Sequence, residues 1–293
     1  MIKLGATSIS SAKLGATQVS KIYLGSTEVW ANLDSDVDAF VLATGATDTT
    51  TMNALALYLK AQSLWTSCRF FPFKSTQNYA TGTSVKGLGG WTSNDIALFG
   101  SVANPTTAGR AFDATDDRGT WDGTGIELLS ELYVFSRSIT SAASLAENNR
   151  IGYISIGDNS IPRALFLNAG SSAITGETTG INLNNASPTR FGITDAWSAV
   201  QDLQIVFRLV ASGTDIWFSK SNTTDCSPQS GSLNFAPSSL GWSANSIVNI
   251  SAIKNGAAYI YPSVGETRKA ILFCKTSLTT LQRETITDYL DAL

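Results

Sequence analysis

The chain has 293 residues, 43% hydrophobic and only 15% charged, with 20 Lys and Arg against 23 Asp and Glu and no histidine at all. That apolar content supports a sizeable core and excludes a disordered chain. The net charge of −3 excludes the basic footprint of a nucleic-acid binder. Zero histidine removes the commonest general base and the commonest metal ligand, which excludes a Ser or Cys hydrolase of ordinary design unless Lys or a carboxylate serves as base.

The first thirty residues repeat themselves: LGAT begins at Leu4 and Leu14, and LGST at Leu24. Internal repeats of this kind are single supersecondary units. Gly5, Gly15 and Gly25 sit where a two-residue hairpin turn needs positive φ. The resulting register sets Leu4 against Thr7, Ile2 against Ile9, Ala12 against Val19 and Ile22 against Val29, with Lys3, Lys13 and Tyr23 on the other face. It also sets Trp30 against Lys21, within reach of a cation–π contact, or else as a hydrophobic hinge. Cross-strand pairs supply roughly 0.2–1 kcal/mol each, against roughly 1–2 kcal/mol of backbone entropy per ordered residue. Such hairpins need a partner surface, which is the rest of this chain, copies of the same segment in an oligomer or a different protein; an attachment or assembly element is the reading favoured over a decorative meander on the body. Leu4, Leu14, Leu24, Tyr23 and Trp30 are its candidate attachment residues.

Residues 31–38, polar and acidic, read as a joint between this module (1–30) and one large body (39–293). In DTTTMNALALYLKAQSLW the spacing of Leu55, Leu59, Ala61 and Leu64 predicts a helix capped by one of Thr49 to Thr51. RFFPF, Arg69 to Phe73, is no long central strand because Pro72 lacks a donor, yet its aromatics demand burial. From Gly82 to Tyr261 short apolar runs (IALFGSV, ELYVFS, IGYISIG, ALFLNA, LQIVFRLVA, IVNISAI, AAYIYP) alternate with Gly-, Ser-, Thr- and Asn-rich stretches. This predicts an all-β antiparallel sandwich or jelly roll. Ala270 to Cys274 then reads as a buried strand. A closing helix follows, capped by Thr279 and Thr280, with Leu281, Ile286, Tyr289 and Leu290 on its inner face.

Cys68, Cys226 and Cys274 are odd in number, widely spaced and without CxxC, and read as buried free thiols. No secretory leader and no membrane-spanning run precedes the body, which predicts a soluble protein made in the cytoplasm of its producing cell.

Two stretches carry a family resemblance: DAFVLATGATDTTTMNALALYLKAQSLWTSCRFFPF, a helix followed by an aromatic-Pro-Phe strand, and AILFCKTSLTTLQRETITDYL, a last strand followed by a Leu-Thr-led helix. The body resembles the concanavalin A-like, laminin-G-type jelly rolls of bacteriophage tail and fibre proteins, and the repeats are similar to short modules preceding such bodies. The resemblance implies a virion structural protein of the tail-fibre or appendage kind. It would be joined to other virion proteins through the repeats as a homo-oligomer, a trimer foremost, and would present a lectin-like body to a host-surface glycan or to neighbouring subunits.

The same jelly roll also hosts glycosidases, which need two flanking carboxylates. Related glucanases carry them as Glu-x-Asp-x(x)-Glu on one strand, and this sequence has no such run. Glu127 and Glu131 are four apart and flank a strand or turn, so no catalytic residues are assigned; a polysaccharide depolymerase and a purely structural spacer remain the alternatives. Asp113, Asp116, Asp117 and Asp122 form the densest acidic patch and are candidate Ca²⁺ ligands. Arg110 and Arg118 sit close enough to neutralise them, so a solvated turn with no metal is the expectation. Asp158 and Asn159 are a second such turn. Trp91, Trp121, Trp197 and Trp242 lie in Gly-, Ser-, Thr- and Asp-rich surroundings. Together with Asp122 they are the candidate sugar-binding residues, the alternative being that they plug the core. No cofactor is expected.

Overall fold

The computed structural model describes residues 3–4, 7–8, 12–14, 17–19, 21–24, 27–31, 33–78, 83–112, 116–123, 125–140, 151–156, 164–169, 179–184, 189–193, 201–210, 213–220, 229–231, 248–255, 258–260 and 266–292. The repeats form three hairpins: β1 (Lys3–Leu4) with β2 (Thr7–Ser8), β3 (Ala12–Leu14) with β4 (Thr17–Val19), and β5 (Lys21–Leu24) with β6 (Thr27–Ala31). The first two keep the predicted register, with Leu4 opposite Thr7 and Ala12 opposite Val19. The third does not. Tyr23 still opposes Glu28, but the register then shifts, so that Trp30 lies opposite Ile22 and Lys21 opposite Ala31. Val29 is the extra residue of a bulge, which overturns both the Ile22–Val29 pair and the Trp30–Lys21 contact.

Two helices follow, α1 (Ser35–Thr44) and α2 (Thr50–Ala61). The first occupies part of the stretch read as a joint. Asp34 caps it by accepting from the Asp36 amide at 3.0 Å, Gly45 ends it in the left-handed conformation, and Val37 is wholly buried. The second is the predicted helix, with Met52, Leu55, Ala56 and Leu59 buried. Thr49 stands at its N-cap without a side-chain bond, and Ala61 is exposed.

The body strands are β7 (Cys68–Pro72), β8 (Ser84–Val85), β9 (Ile96–Phe99), β10 (Arg110–Phe112), β11 (Arg118–Trp121), β12 (Glu131–Thr140), β13 (Ile151–Ile156), β14 (Ala164–Ala169), β15 (Thr179–Asn184), β16 (Thr189–Ile193), β17 (Gln201–Val210), β18 (Gly213–Lys220), β19 (Gln229–Gly231), β20 (Val248–Ile250), β21 (Ile253–Asn255), β22 (Ala258–Ile260) and β23 (Glu266–Cys274), closed by α3 (Thr280–Asp291). They make an antiparallel sandwich, as predicted. One sheet has the order β10-β23-β12-β17-β18-β19, with β7 in line with β10 along the same side of β23; the other has the order β16-β15-β14-β13-β20-β11-β9-β8. Strands β21 and β22 form a separate hairpin.

Alternate residues of the first sheet face opposite cores. Phe71, Leu132, Val134, Ile205, Phe207, Ile271 and Phe273 point into the sandwich, where they meet Ile96, Leu98, Trp121, Ile154, Val248 and Ile250 of the second sheet. Cys68, Phe70, Tyr133, Phe135, Val206, Leu272 and Cys274 point the other way, onto the layer made by the three helices. The order is therefore helices, sheet, sheet. Ile286 and Leu290 anchor α3 on this outer core and Thr279 closes a capping box with Gln282. Leu281 is 72% exposed, not an inner-face residue, and Tyr289 is half-buried against Tyr58 with ring centroids 5.6 Å apart. At 3.6 residues per turn Leu281 lies off the stripe that holds Ile286 and Leu290, and Arg283 and Thr287 are buried beside them instead.

Candidate ligand-binding face

Two of the predicted sugar-binding tryptophans are core residues. Trp121 is 0% exposed and Trp91 1%. The Trp121 ring stacks on Phe273 with centroids 4.3 Å apart, meets Trp91 edge-on at 5.3 Å and Phe71 at 5.5 Å, and its Nε1–H donates to the Asn94 carbonyl at 3.0 Å. The glycines around it leave room for the ring rather than marking a loop. A Cβ on Gly123 would lie 3.0 Å from the indole, and one on Gly119 3.0 Å from Ile96. With both faces packed, neither indole can stack on a sugar. Asp122, the next residue, is exposed. Trp197 and Trp242 lie outside the described residues, as do Asp158 and Asn159.

The acidic patch does not converge either. Asp113 lies outside the described residues, Asp116 is exposed and Asp117 is buried. Among the described residues no three His, Cys, Asp or Glu side chains gather as metal ligands. Glu127 lies in a 3-10 turn, Ile126–Leu128, and Glu131 opens β12, where it accepts from Arg208 Nε at 2.7 Å and from the Ser277 hydroxyl. That carboxylate is held by an ion pair.

Among the described residues the three helices lie on the first sheet, and the outward face of the second carries no helix. In β9 and β11, Ile96, Leu98, Gly119 and Trp121 are turned inward and buried, while Ala97, Phe99, Arg118 and Thr120 are turned outward. Phe99 is 41% exposed, and Arg118, its cross-strand partner, holds its guanidinium 4.6 Å from the ring centroid while donating to the Asp116 carbonyl at 3.2 Å. Thr120 is the register partner of Ala97 on one side and Asn249 on the other; the row continues through Ser155, Phe166, Asn182 and Arg190. Asn249 is wholly buried although it faces away from the core. Among the side chains of this row that the structure describes, the partly exposed ones, Ala97 and Thr120, are at the β9–β11 end. The Phe99 ring, with the Arg118 guanidinium over one of its faces, is an exposed aromatic with a cationic donor beside it, a combination that suits a polyhydroxylated ring. The signal for it in the sequence is the alternation of IALF and RGTW.

Charge is also buried inside the sandwich, which the sequence reading missed. The ladder between β12 and β23 pairs Arg137 with Ala270 but Ser138 with Arg268, so Lys269 is the extra residue of a bulge. The bulge turns Arg268 and Glu266 inward. Arg268 is ion-paired to Glu266 and donates to Ser136 Oγ at 2.6 Å, and Glu266 accepts from the Ser251 hydroxyl at 2.9 Å. Arg110 lies opposite Arg268 in the ladder, and burial pushes its guanidinium down from the ordinary value. Lys269 and Arg137 face the helix layer instead, where they meet Asp202 at 2.8 and 3.1 Å. These bonds tie strands together inside the body.

No protein-family model matches the chain, and no curated protein does. Solved structures do. The chain is similar to the CBM40 of Ruminococcus gnavus IT-sialidase bound to alpha2,3 sialyllactose, at 11% identity and a TM-score of 0.41, over 56% of this chain and 86% of that one. It is similar to a Trypanosoma rangeli sialidase mutant displaying trans-sialidase activity, at 12% identity and 0.49, over 82% of this chain and 39% of that one. It is also similar to the botulinum neurotoxin serotype D/C binding domain, at 11% and 0.48, over 75% and 51%. These likenesses concern the sandwich fold.

Proposed function

We propose that this chain is a structural protein of a bacteriophage virion, of the tail-fibre or appendage kind, in which the N-terminal repeats attach a lectin-like body to other virion proteins. The observation that carries this reading is that, among the described residues, each repeat stands as its own two-stranded sheet, joined neither to the other repeats nor to a body sheet. An isolated two-stranded hairpin is marginal in water, so three in tandem make physical sense as elements completed by another chain. The resemblance of the repeats, and of the body's first helix and last strand, to phage virion proteins supports the assignment to a virion. Homo-oligomers, trimers first, are the expected assembly.

Removing residues 1–30 tests this. The shortened chain is expected to keep the melting temperature of the body but to lose both oligomerisation and incorporation into the particle. Aggregation, or a much lower melting temperature, would make the repeats part of the body and sink the attachment reading.

The body's role in this proposal is to bind a host-surface glycan without cleaving it, and Phe99, exposed beside Arg118 on the outward face of the second sheet, favours that over a bare spacer. A shallow site of this kind binds weakly, and display in several copies multiplies it. On a glycan array the intact oligomer is expected to bind, and Phe99→Ala to reduce binding at least tenfold; Trp197→Ala and Trp242→Ala probe the two remaining tryptophans. Release of reducing ends from host polysaccharide would favour the depolymerase instead, and silence on every glycan would favour the spacer.

A further inference from the structure

Cys68 and Cys274 are far apart in the chain, 206 positions, yet they are direct partners in the ladder between β7 and β23. The amide of Lys275 donates to the Ser67 carbonyl at 2.9 Å, and that of Phe73 to the Lys269 carbonyl at 2.9 Å. Those bonds flank the pairs Cys68–Cys274 and Pro72–Ala270, so both are non-hydrogen-bonded pairs, the kind in which opposed Cα atoms come closest and side chains lie nearest. Both thiols point into the outer core between the sheet and the helices, both are wholly buried, and Cys68 Sγ–H donates to Cys274 Sγ across 2.7 Å. Ordinary packing asks for no more than two small apolar side chains here. Two thiols aligned across one ladder pair, with sulfur against sulfur, satisfy the approach that a disulfide requires.

We propose that Cys68 and Cys274 are a modification site: an intrachain disulfide that forms across the β7–β23 ladder when the chain meets a disulfide oxidant such as glutathione disulfide. The Cys68 thiolate attacks one sulfur of the oxidant, whose S–S bond breaks, and one glutathione leaves as thiolate. The Cys274 thiolate then attacks the Cys68 sulfur of the mixed disulfide and expels the second glutathione. Two electrons pass from the protein dithiol to the oxidant, and the two thiol protons end on the two glutathione molecules.

Burial pushes the Cys68 thiol up from its ordinary value, the neighbouring Cys274 adding to the effect, so thiolate is scarce in the closed sheet. Reaction therefore runs as the chain folds, or when β7 lifts. β7 is a five-residue strand whose ladder, among the described residues, is with β23, and whose other side carries the bridge of Phe70 with Leu88 and the Trp91 amide on the Cys68 carbonyl at 3.2 Å. Once formed, the bond joins the strand that enters the body to the strand that closes it. A cross-link over so long a loop constrains the unfolded chain strongly. The reduced and oxidised proteins would share one fold and differ in resistance to unfolding.

The test starts from the full-length chain, unfolded and fully reduced, and refolds it in a mixture of reduced and oxidised glutathione; in parallel the folded chain is equilibrated in the same mixture. Free thiols are then alkylated under denaturing conditions and the peptides mapped. The expected result is a Cys68–Cys274 linked peptide with Cys226 alkylated, a protein lighter by two hydrogen atoms, and a melting temperature several degrees above that of the reduced protein, reversed by dithiothreitol. The Cys226→Ala chain should behave identically. Three alkylated cysteines in both samples, or a predominant bridge to Cys226, would overturn the proposal.

Discussion

In the first sheet of the sandwich, buried residues follow one another without a break: Leu132 to Phe135 in β12, and Ala270 to Cys274 in β23. In β9 and β11 of the second sheet the same chain alternates, with Ile96, Leu98, Gly119 and Trp121 buried, Ala97, Arg118 and Thr120 part-buried and Phe99 exposed. The first sheet has a core on each side, because the helices cover its outer face; the second, at that edge, has one. A continuous apolar run thus marks a covered strand and a strict alternation marks an open one. Among the described residues the comparison tells which sheet carries the helices on its outer face and which does not.

Substitutions in the two sheets should break the symmetry in a predictable order. Trp121→Ala removes the largest ring at the centre of the sandwich and is expected to cost about 3–5 kcal/mol, much of the roughly 5–15 that holds a domain together. Thr120→Ala, one residue away on the outward face, should stay within about 0.5 kcal/mol. Denaturant titrations of the two proteins measure the contrast, and equal losses would mean that the second sheet is covered as fully as the first.

The helix layer is the second lever. Leu290→Ala, which empties a fully buried position under α3, should cost about 2–5 kcal/mol. Leu281→Ser, at an exposed position on the same helix, should change the melting temperature little. A large effect of the second and none of the first would mean that α3 packs through its other face.

The smallest expected effect concerns the rim of that layer. Lys60 on α2 donates to Asp34 at 2.6 Å and to Asp36, both at the start of α1. Burial alone would lower its pKa, but the hydrogen bonds and charges of the two aspartates outweigh this and leave the ammonium above its ordinary value. A raised pKa in the folded state means that the stabilisation is fully present below the unfolded value and fades as pH rises through the folded one. The contribution, under about 1 kcal/mol for so accessible a pair, should fade as pH rises above the ordinary lysine value of about 10.4. Lys60→Met should flatten that part of the stability profile, and an unchanged slope would show the pair to be idle.

The fold was more legible than the site. The runs ELYVFS, LQIVFRLVA and AILFC are strands buried on both faces, where hydrophobicity is continuous and the pattern is loud. β15, β16 and β18 carry Gly, Asn, Thr and Asp among fewer apolar residues and went unread. α1 was hidden because its acidic first turn resembles a linker, although Asp34 and Gly45 stood at its ends as cap signals. The tryptophans failed for a different reason. Small residues next to a large ring describe either a loop or a cavity shaped for that ring, and nearest neighbours in sequence cannot distinguish the two.

Composition and periodicity determined, by themselves, that the chain folds as an antiparallel sandwich with a capped closing helix and that the N-terminal repeats pair as hairpins. Those features depend on residues a few positions apart. Only the tertiary structure decided that Trp91 and Trp121 serve the core, that the described helices cover one sheet and not the other, that a single bulged residue turns Arg268 and Glu266 inward, and that Cys68 meets Cys274. Each of these depends on contact between segments tens to hundreds of residues apart. Such contacts are set by register and packing, and no local pattern carries them.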